Sequence, residues 1–211
     1  MKEILIANTK GGCGKTTLAT NLAGYFANLG HTVAFTDLDR QQSATDWLAR
    51  RPASAAHIHL TNHKSPDKAQ VKNIDWHIVD SPGGFKDEKL FSAIKSADCI
   101  LVPIQPSAFD MGATEDFLNL IVEEKAIRKQ KTFVGLVGMR VNARANAALK
   151  LTSFMEQANF PVLTSLRNAQ CYVTAAELGV SIFDMRASQV AQDILQWQAL
   201  IDWVMDVSVK E

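Results

Sequence analysis

The chain has only three cysteines in 211 residues. Cys13, Cys99 and Cys171 are odd in number, widely spaced and free of any C-x-x-C pair, which argues against a disulfide framework and against a zinc site. They read as reduced thiols. Long apolar runs are missing too: no stretch approaches the roughly 18 residues that a membrane-spanning helix needs. From Met1 the chain passes straight into Ile4-Leu5-Ile6-Ala7, without the longer apolar segment and cleavage site of a secretory signal. A soluble, cytoplasmic protein without a membrane partner is expected. Internal repeats and low-complexity segments are also lacking, and 47% apolar with 21% charged residues is an ordinary globular balance, so disorder is not implied. The length suits a single domain, residues 1–211, and is too short for two of ordinary size.

Net charge is zero, but only in total. Residues 125–186 carry 9 Lys/Arg against 3 Asp/Glu, a surplus of 6, while residues 187–211 carry 1 against 4. Such a run is ordinarily a solvated face, and a surface for nucleic acid is the alternative.

What the chain does have is alternation. The short apolar or β-branched runs EILIAN, HTVAFTD, DWHIVD, DCILVPI and TFVGLVGM are separated by helical patterns. Helices are expected over residues 16–29, through Trp47, and over 86–96, 111–127 and 143–159. After Pro161 come a short strand, a helix over 169–178 and a last amphipathic helix over 187–207. This spacing predicts βαβ units, hence an α/β fold with a mostly parallel, twisted sheet covered by helices on both faces.

Between the first run and the first helix lies TKGGCGKTTLAT, residues 9–20. An apolar strand that enters a glycine-rich turn and opens onto a helix is the setting of a phosphate-binding loop. Gly11, Gly12 and Gly14 let successive backbone N–H groups point at phosphate oxygens, and the helix N-terminus adds partial positive charge. Lys15 is expected to reach the β- and γ-phosphates, Thr16 to place its hydroxyl on Mg²⁺ and Thr17 to donate to the α-phosphate. A turn followed by a helix cap is the purely structural alternative. One position departs from G-x-x-x-x-G-K-[ST]: Thr9 stands where the first glycine belongs, and a second lysine, Lys10, follows it.

K-G-G-x-G-K-T-T resembles the deviant Walker A loop of the ParA/MinD-type ATPases, which implies a P-loop NTPase fold. In that family the first lysine crosses a nucleotide-sandwich dimer to the partner's phosphates. A cation delivered in trans would stabilise charge developing during phosphoryl transfer, and Lys10 matches it. Lys10, Gly11, Gly12, Cys13, Gly14, Lys15, Thr16 and Thr17 are thus the expected ATP contacts, with Lys10 and Lys15 catalytic. TDLDRQQSATDW, residues 36–47, places Asp37 and Asp39 at the carboxyl end of the second strand, where parallel sheets bind ligands. D-x-D-x-Q-x-S-x-x-x-W is similar to the small plasmid-partition, ParF-like subgroup. That match gives Asp39 the orienting of the attacking water near Mg²⁺ and Asp37 a supporting place, although Arg40 replaces the usual proline. Two acids capping the next helix is the structural alternative. WHIVDSPGG, residues 76–84, resembles Walker B: Asp80 would hold Mg²⁺ through water or Thr16, and Ser81 to Gly84 would sense the γ-phosphate. Thr16, Asp37, Asp39 and Asp80 form the expected Mg²⁺ set. LVPIQPSAFD, residues 101–110, resembles the family's next strand and its P-x-x-P-S loop.

The resemblance implies an ATP-dependent homodimer whose hydrolysis times the positioning of a cargo. Plasmid or chromosome partition comes first: non-specific binding to nucleoid DNA in the ATP state, then release when a centromere-binding or adaptor protein stimulates hydrolysis. Arg140, Arg144, Lys150, Arg167 and Arg186 in the basic block become candidate DNA contacts. Alternatives are a positioning ATPase for carboxysomes, chemoreceptor arrays or conjugation, a MinD-like membrane-bound regulator, and a P-loop small-molecule kinase or ligase. The acidic last helix would be repelled by anionic lipid, so its Trp197, Leu200, Ile201 and Val204 read as core. His57, His59 and His63 read as an edge strand or loop, and Cys99 as a buried thiol.

Overall fold

The computed structural model describes residues 1–61, 73–84, 88–124, 127, 129 and 131–209. Its strands are β1 (Lys2–Ile6), β2 (Val33–Asp37), β3 (His59–Leu60), β4 (Trp76–Asp80), β5 (Cys99–Ile104), β6 (Phe133–Val141) and β7 (Val162–Arg167). They form one sheet in the order β3-β2-β4-β1-β5-β6-β7, and every neighbouring pair is parallel. Among the described residues the helices are α1 (Lys15–Asn28), α2 (Ser43–Arg50), α3 (Glu88–Ser96), α4 (Ala108–Val122), α5 (Asn146–Gln157), α6 (Gln170–Leu178) and α7 (Ala187–Val209). A 3₁₀ turn, Ile182–Asp184, joins the last two. The α/β expectation holds, with a sheet that is parallel throughout.

Strands covered on both faces read as near-continuous apolar runs. In β1 and the residue after it, Ile4 and Ile6 pack beneath α1, α2, α6 and α7, whereas Leu5 and Ala7 pack against α3, α4 and α5. Leu18, Leu22 and Phe26 of α1 and Trp197, Leu200 and Val204 of α7 fill the first layer. Leu90 and Ile94 of α3, Phe117 and Ile121 of α4, and Leu151 of α5 fill the second. Each such side chain contributes about 1.5–3 kcal/mol on burial. The last helix is therefore core, as its pattern implied, and no described helix is long and apolar enough to cross a membrane. Cys99 is fully buried in β5, and burial pushes its thiol far above the ordinary range.

Several boundaries differ from expectation for local reasons. The helix expected from residue 111 begins at Ala108, because Ser107 caps it by accepting Asp110 N–H at 3.1 Å. Residues 125 and 126, in the expected tail of that helix, lie outside the described residues, as does 86 at the start of the third. The helix expected from residue 143 begins at Asn146, since Asn142 Oδ1 accepts Arg144 N–H at 3.2 Å and holds a turn first. Strand β3 stands at one edge of the sheet, in keeping with the edge strand or loop expected around the histidines. It carries His59, whose ring lies 4.4 Å from that of His57, while His63 is outside the described residues.

The segment 179–184 is an anchor for two helices. Trp47 of α2 donates to the Val180 carbonyl at 3.1 Å, and Arg51 donates to both oxygens of Asp184 at 3.1 and 3.2 Å. From α1, Asn21 accepts Ile182 N–H at 2.8 Å, and Asn28 donates to Asp184 at 3.0 Å.

Candidate functional site

Strand β1 is central, with β4 on one side and β5 on the other, so the chain leaves its carboxyl end at the point where strand order reverses. Open parallel sheets bind ligands in the crevice at such a point. The loop that follows is fixed by Asn8, which is fully buried: its amide donates to the Pro103 carbonyl at 2.9 Å and to Thr114 Oγ1 at 2.8 Å, and its oxygen accepts Lys10 N–H at 3.1 Å. Gln105, just past β5, donates to the Gly12 carbonyl. Neither residue was singled out from sequence. The available signal was an amide side chain at each strand-to-loop junction of the motif region.

Gly14 leads into α1 at φ 104°, ψ 16°, and Gly12 has φ 78°, so both use left-handed backbone. A Cβ on Gly14 would lie 2.8 Å from Met139 Cε, and a methionine tip can swing aside, but the dihedral cannot relax. Gly14→Ala is therefore expected to cost about 1–3 kcal/mol in chemical denaturation, and adding Met139→Ala should restore little of it. Full rescue by the second change would mean that contact rather than dihedral sets the cost.

Helix α1 has no side-chain cap and no acid in its first turn, so its leading N–H groups are free for an anion. Lys15 is 6% exposed, and its ammonium donates to the Lys10 carbonyl at 2.9 Å. Cys13 is buried beneath it, donating to the same carbonyl at 3.2 Å; burial raises its thiol pKa and Lys15 pulls it back. Thr16 and Thr17 lie half-buried on the first turn, while Gly11 and Gly12 are exposed. The Lys10 ammonium has no hydrogen-bond or ion-pair partner among the described residues, and the residue is half-buried.

Three carboxylates stand at the ends of β2 and β4, in different states. Asp80 is fully buried; one oxygen accepts the Thr16 hydroxyl at 2.7 Å and the other has no partner. Burial pushes its carboxyl up to about 7; the Thr16 hydroxyl opposes this, and Asp37 adds to it. An unpaired buried carboxylate oxygen is costly unless a cation meets it. Among the described residues no group of three or more His, Cys, Asp or Glu makes a ready cation cage. That suits Mg²⁺, which takes one or two protein ligands together with substrate phosphates and water. Thr16 and Asp80 fit the ion. Asp37 also caps α2: one oxygen accepts Ala44 and Thr45 N–H, each at 3.0 Å, while the other accepts Asp39 N–H at 3.0 Å and keeps a lone pair for a water on the expected Mg²⁺. Asp39 is half-buried, with one oxygen accepting Gln41 N–H at 3.0 Å and the other free among the described residues. Past Asp80, the 81–84 loop returns to the phosphate loop through Gly84 N–H to the Thr9 carbonyl at 2.8 Å.

On the other flank, a cavity of about 620 Å³ opens over the carboxyl ends of β6 and β7, lined by Asn142, Ala143, Arg144, Ser165, Asn168 and α7 residues including Gln196. The contact between Gly14 and Met139 shows that this end of β6 borders the phosphate loop.

Residues 4–182 match the CobQ/CobB/MinD/ParA nucleotide-binding domain. The chain belongs to this family. Among its ParA/MinD relatives, the maintenance of carboxysome distribution protein A of Halothiobacillus neapolitanus is 29% identical over 202 residues, 92% of this chain and 93% of that protein. The chromosome-partitioning ATPase Soj of Thermus thermophilus is 53% identical over 80 residues, 37% of this chain and 31% of its own. An ATP complex of McdA from Cyanothece shares the fold with a TM-score of 0.73 at 19% identity, covering 95% of this chain and 96% of that one. The ParA/MinD family is one of nucleotide-binding ATPases whose members dimerise and act with partner proteins.

The five candidate DNA contacts do not form one patch. Arg140 is exposed near the end of β6, Arg144 just past that strand and Lys150 on α5. Arg186 is exposed two residues after Asp184, which meets the far end of α1 through Asn28, so about 20 Å of helix separates the two regions. Arg167 is committed: its guanidinium forms a bidentate pair with the fully buried Asp193 at 2.7 and 2.8 Å. That pairing offsets the charge of Arg167, although its side chain is still 40% exposed.

Proposed function

We propose that the chain is an Mg²⁺-dependent ATPase that dimerises on ATP and uses hydrolysis to time the positioning of a cargo. The observation that carries this reading is Lys10, a second cation at the phosphate loop whose ammonium serves no interaction within its own protomer among the described residues. Such a cation suits delivery to the phosphates of a second copy. Lys15 and the open N–H groups of α1 would hold the triphosphate, and Thr16 and Asp80 the Mg²⁺, which supplies charge neutralisation at phosphoryl oxygens when bound. Asp39, with one free carboxylate oxygen, would orient the attacking water, and Asp37 would keep α2 in place. With Asp39 and Asp80 at the Mg²⁺ and γ-phosphate end, the nucleoside would extend the other way, into the cavity over β6 and β7.

A protein assembly is the favoured cargo, because a relative matched over 93% of its length is named for carboxysome distribution. DNA partition is the second reading, favoured by the denser but shorter match to a chromosome-partitioning ATPase. Either would use non-specific nucleoid DNA as its track, through Arg140, Arg144, Lys150 or Arg186, with an adaptor protein stimulating hydrolysis. Backbone contacts of that kind weaken steeply with salt and carry no sequence preference.

The test is light scattering with ATP and with ADP, alongside turnover in the presence of random-sequence duplex. The wild type should be dimeric with ATP alone. Lys10→Ala should keep most of its ATP affinity while turnover falls by about 100-fold or more. An unchanged dimer together with unchanged turnover refutes the cross-dimer role. Asp39→Ala should hold the ATP dimer for the DNA titration, and no salt-dependent binding by that dimer rules out the DNA track.

A further inference from the structure

Two amides line the cavity over β6 and β7, and each is oriented through its oxygen. Gln196 Oε1 accepts Arg167 N–H at 3.0 Å, and Asn142 Oδ1 accepts Arg144 N–H at 3.2 Å. A backbone N–H only donates, so the oxygen must be the atom that meets it and the NH₂ must be the other one. Among the described residues neither NH₂ has a partner. Gln196 is the more firmly held of the two. Its own carbonyl accepts Thr164 Oγ1 at 2.6 Å, and the Arg167 it holds is clamped in turn by Asp193. Its Nε2 is thus a preoriented, half-buried donor on the wall of a cavity whose size suits a nucleoside.

We propose that Gln196 reads the nucleobase, donating from Nε2 to a ring nitrogen of a purine seated in this cavity. The proposal rests on the cavity being the nucleoside end of the ATP site. A purine fits the donor-lined wall because its ring nitrogens are acceptors in the plane of the base, where an amide fixed on α7 can meet one edge-on. The competing account is that Gln196 only ties α7 to β7 by accepting Arg167 N–H. Gln196→Glu separates the two, since it keeps an oxygen for that N–H and replaces the donor with an acceptor.

The experiment is competitive binding of ATP and of 1-deaza-, 3-deaza- and 7-deaza-ATP, each lacking one ring nitrogen, to wild type, Gln196→Glu and Gln196→Ala. Both variants should bind ATP about 3- to 10-fold more weakly, the size of one neutral hydrogen bond. The wild type should lose a similar factor with one of the three analogues, and for that analogue the variants should lose nothing more. ATP affinity near wild type in Gln196→Glu overturns the proposal, and so does equal weakening of ATP and all three analogues. Ala143→Trp, which fills the cavity, tests the underlying reading separately. Unchanged ATP binding in that variant means no nucleoside sits there; weakened ATP binding beside a neutral Gln196→Glu keeps the cavity and rejects only the role of Gln196.

Discussion

Lys15→Ala abolishes measurable ATP binding and leaves the fold intact: this is the largest functional effect expected. The ammonium is buried at the loop, resting on the Lys10 carbonyl at 2.9 Å, with no carboxylate partner at salt-bridge distance among the described residues. It can turn from that carbonyl to a phosphate without breaking an ion pair. Two charge-assisted contacts to the β- and γ-phosphates at about 1.5–3 kcal/mol each amount to roughly a 10²- to 10⁴-fold change in affinity. Truncation breaks no direct ion pair, since Lys15 meets only a carbonyl and the Cys13 sulfur, and the buried Asp80, whose carboxyl Lys15 pulls down from a distance, can take up a proton. Thermal unfolding should stay close to wild type while calorimetric titration with Mg·ATP shows no heat. ATP affinity within a few-fold of wild type would remove Lys15 from the site.

The largest stability effect is expected at Asp184. Its side chain is 9% exposed and that of Arg51 is 6%, and the carboxylate also accepts the Ser181 N–H and hydroxyl at 2.7 and 2.6 Å. Asp184→Ala leaves Arg51 buried without its counter-charge, a situation that costs about 3–5 kcal/mol. Burial works to raise the Asp184 carboxyl, but hydrogen bonds from Ser181, Arg51 and Asn28 outweigh it and hold the group below the ordinary carboxylate range. The sign of the pH effect follows. A depressed folded pKa means stability that is present above the unfolded value of about 3.9 and is lost as pH falls through the lower folded value. Chemical denaturation of wild type and Asp184→Asn should therefore differ most near neutral pH and converge below about pH 4. A difference that stays constant across that range would assign the loss to packing instead.

How much of this was legible in the sequence depends on distance along the chain. The phosphate loop, the carboxyl-end acids and the alternation of strands and helices follow from short-range spacing, and the structure brings Thr16 against Asp80 as the motifs imply. Asn8, Gln105 and the segment 179–184 act through contacts 93 to 161 residues apart, which no local pattern encodes. Charge counted along residues 125–186 likewise said nothing about where those side chains end up. The buried acid that neutralises Arg167 lies in the neighbouring acidic segment, 26 residues on. Asp37 shows the opposite limit: its position at the strand end was right, but spacing alone, with two acids two positions apart, gave no means of telling which would cap α2.

The place of β1 also has a consequence for how the chain is made. Among the described strands it is made first, yet its neighbours are β4, where Glu3 pairs with His77, and β5, where Ile4 pairs with Cys99. Until residue 80 has been made, the strand that carries the phosphate loop has neither edge covered, and until β5 follows one edge stays open; closing those pairings requires long-range loops. For that interval Ile4-Leu5-Ile6 is an unprotected β-forming segment. Nascent chains stalled before residue 99 should therefore depend on holdase chaperones, and those stalled well beyond residue 104 should not.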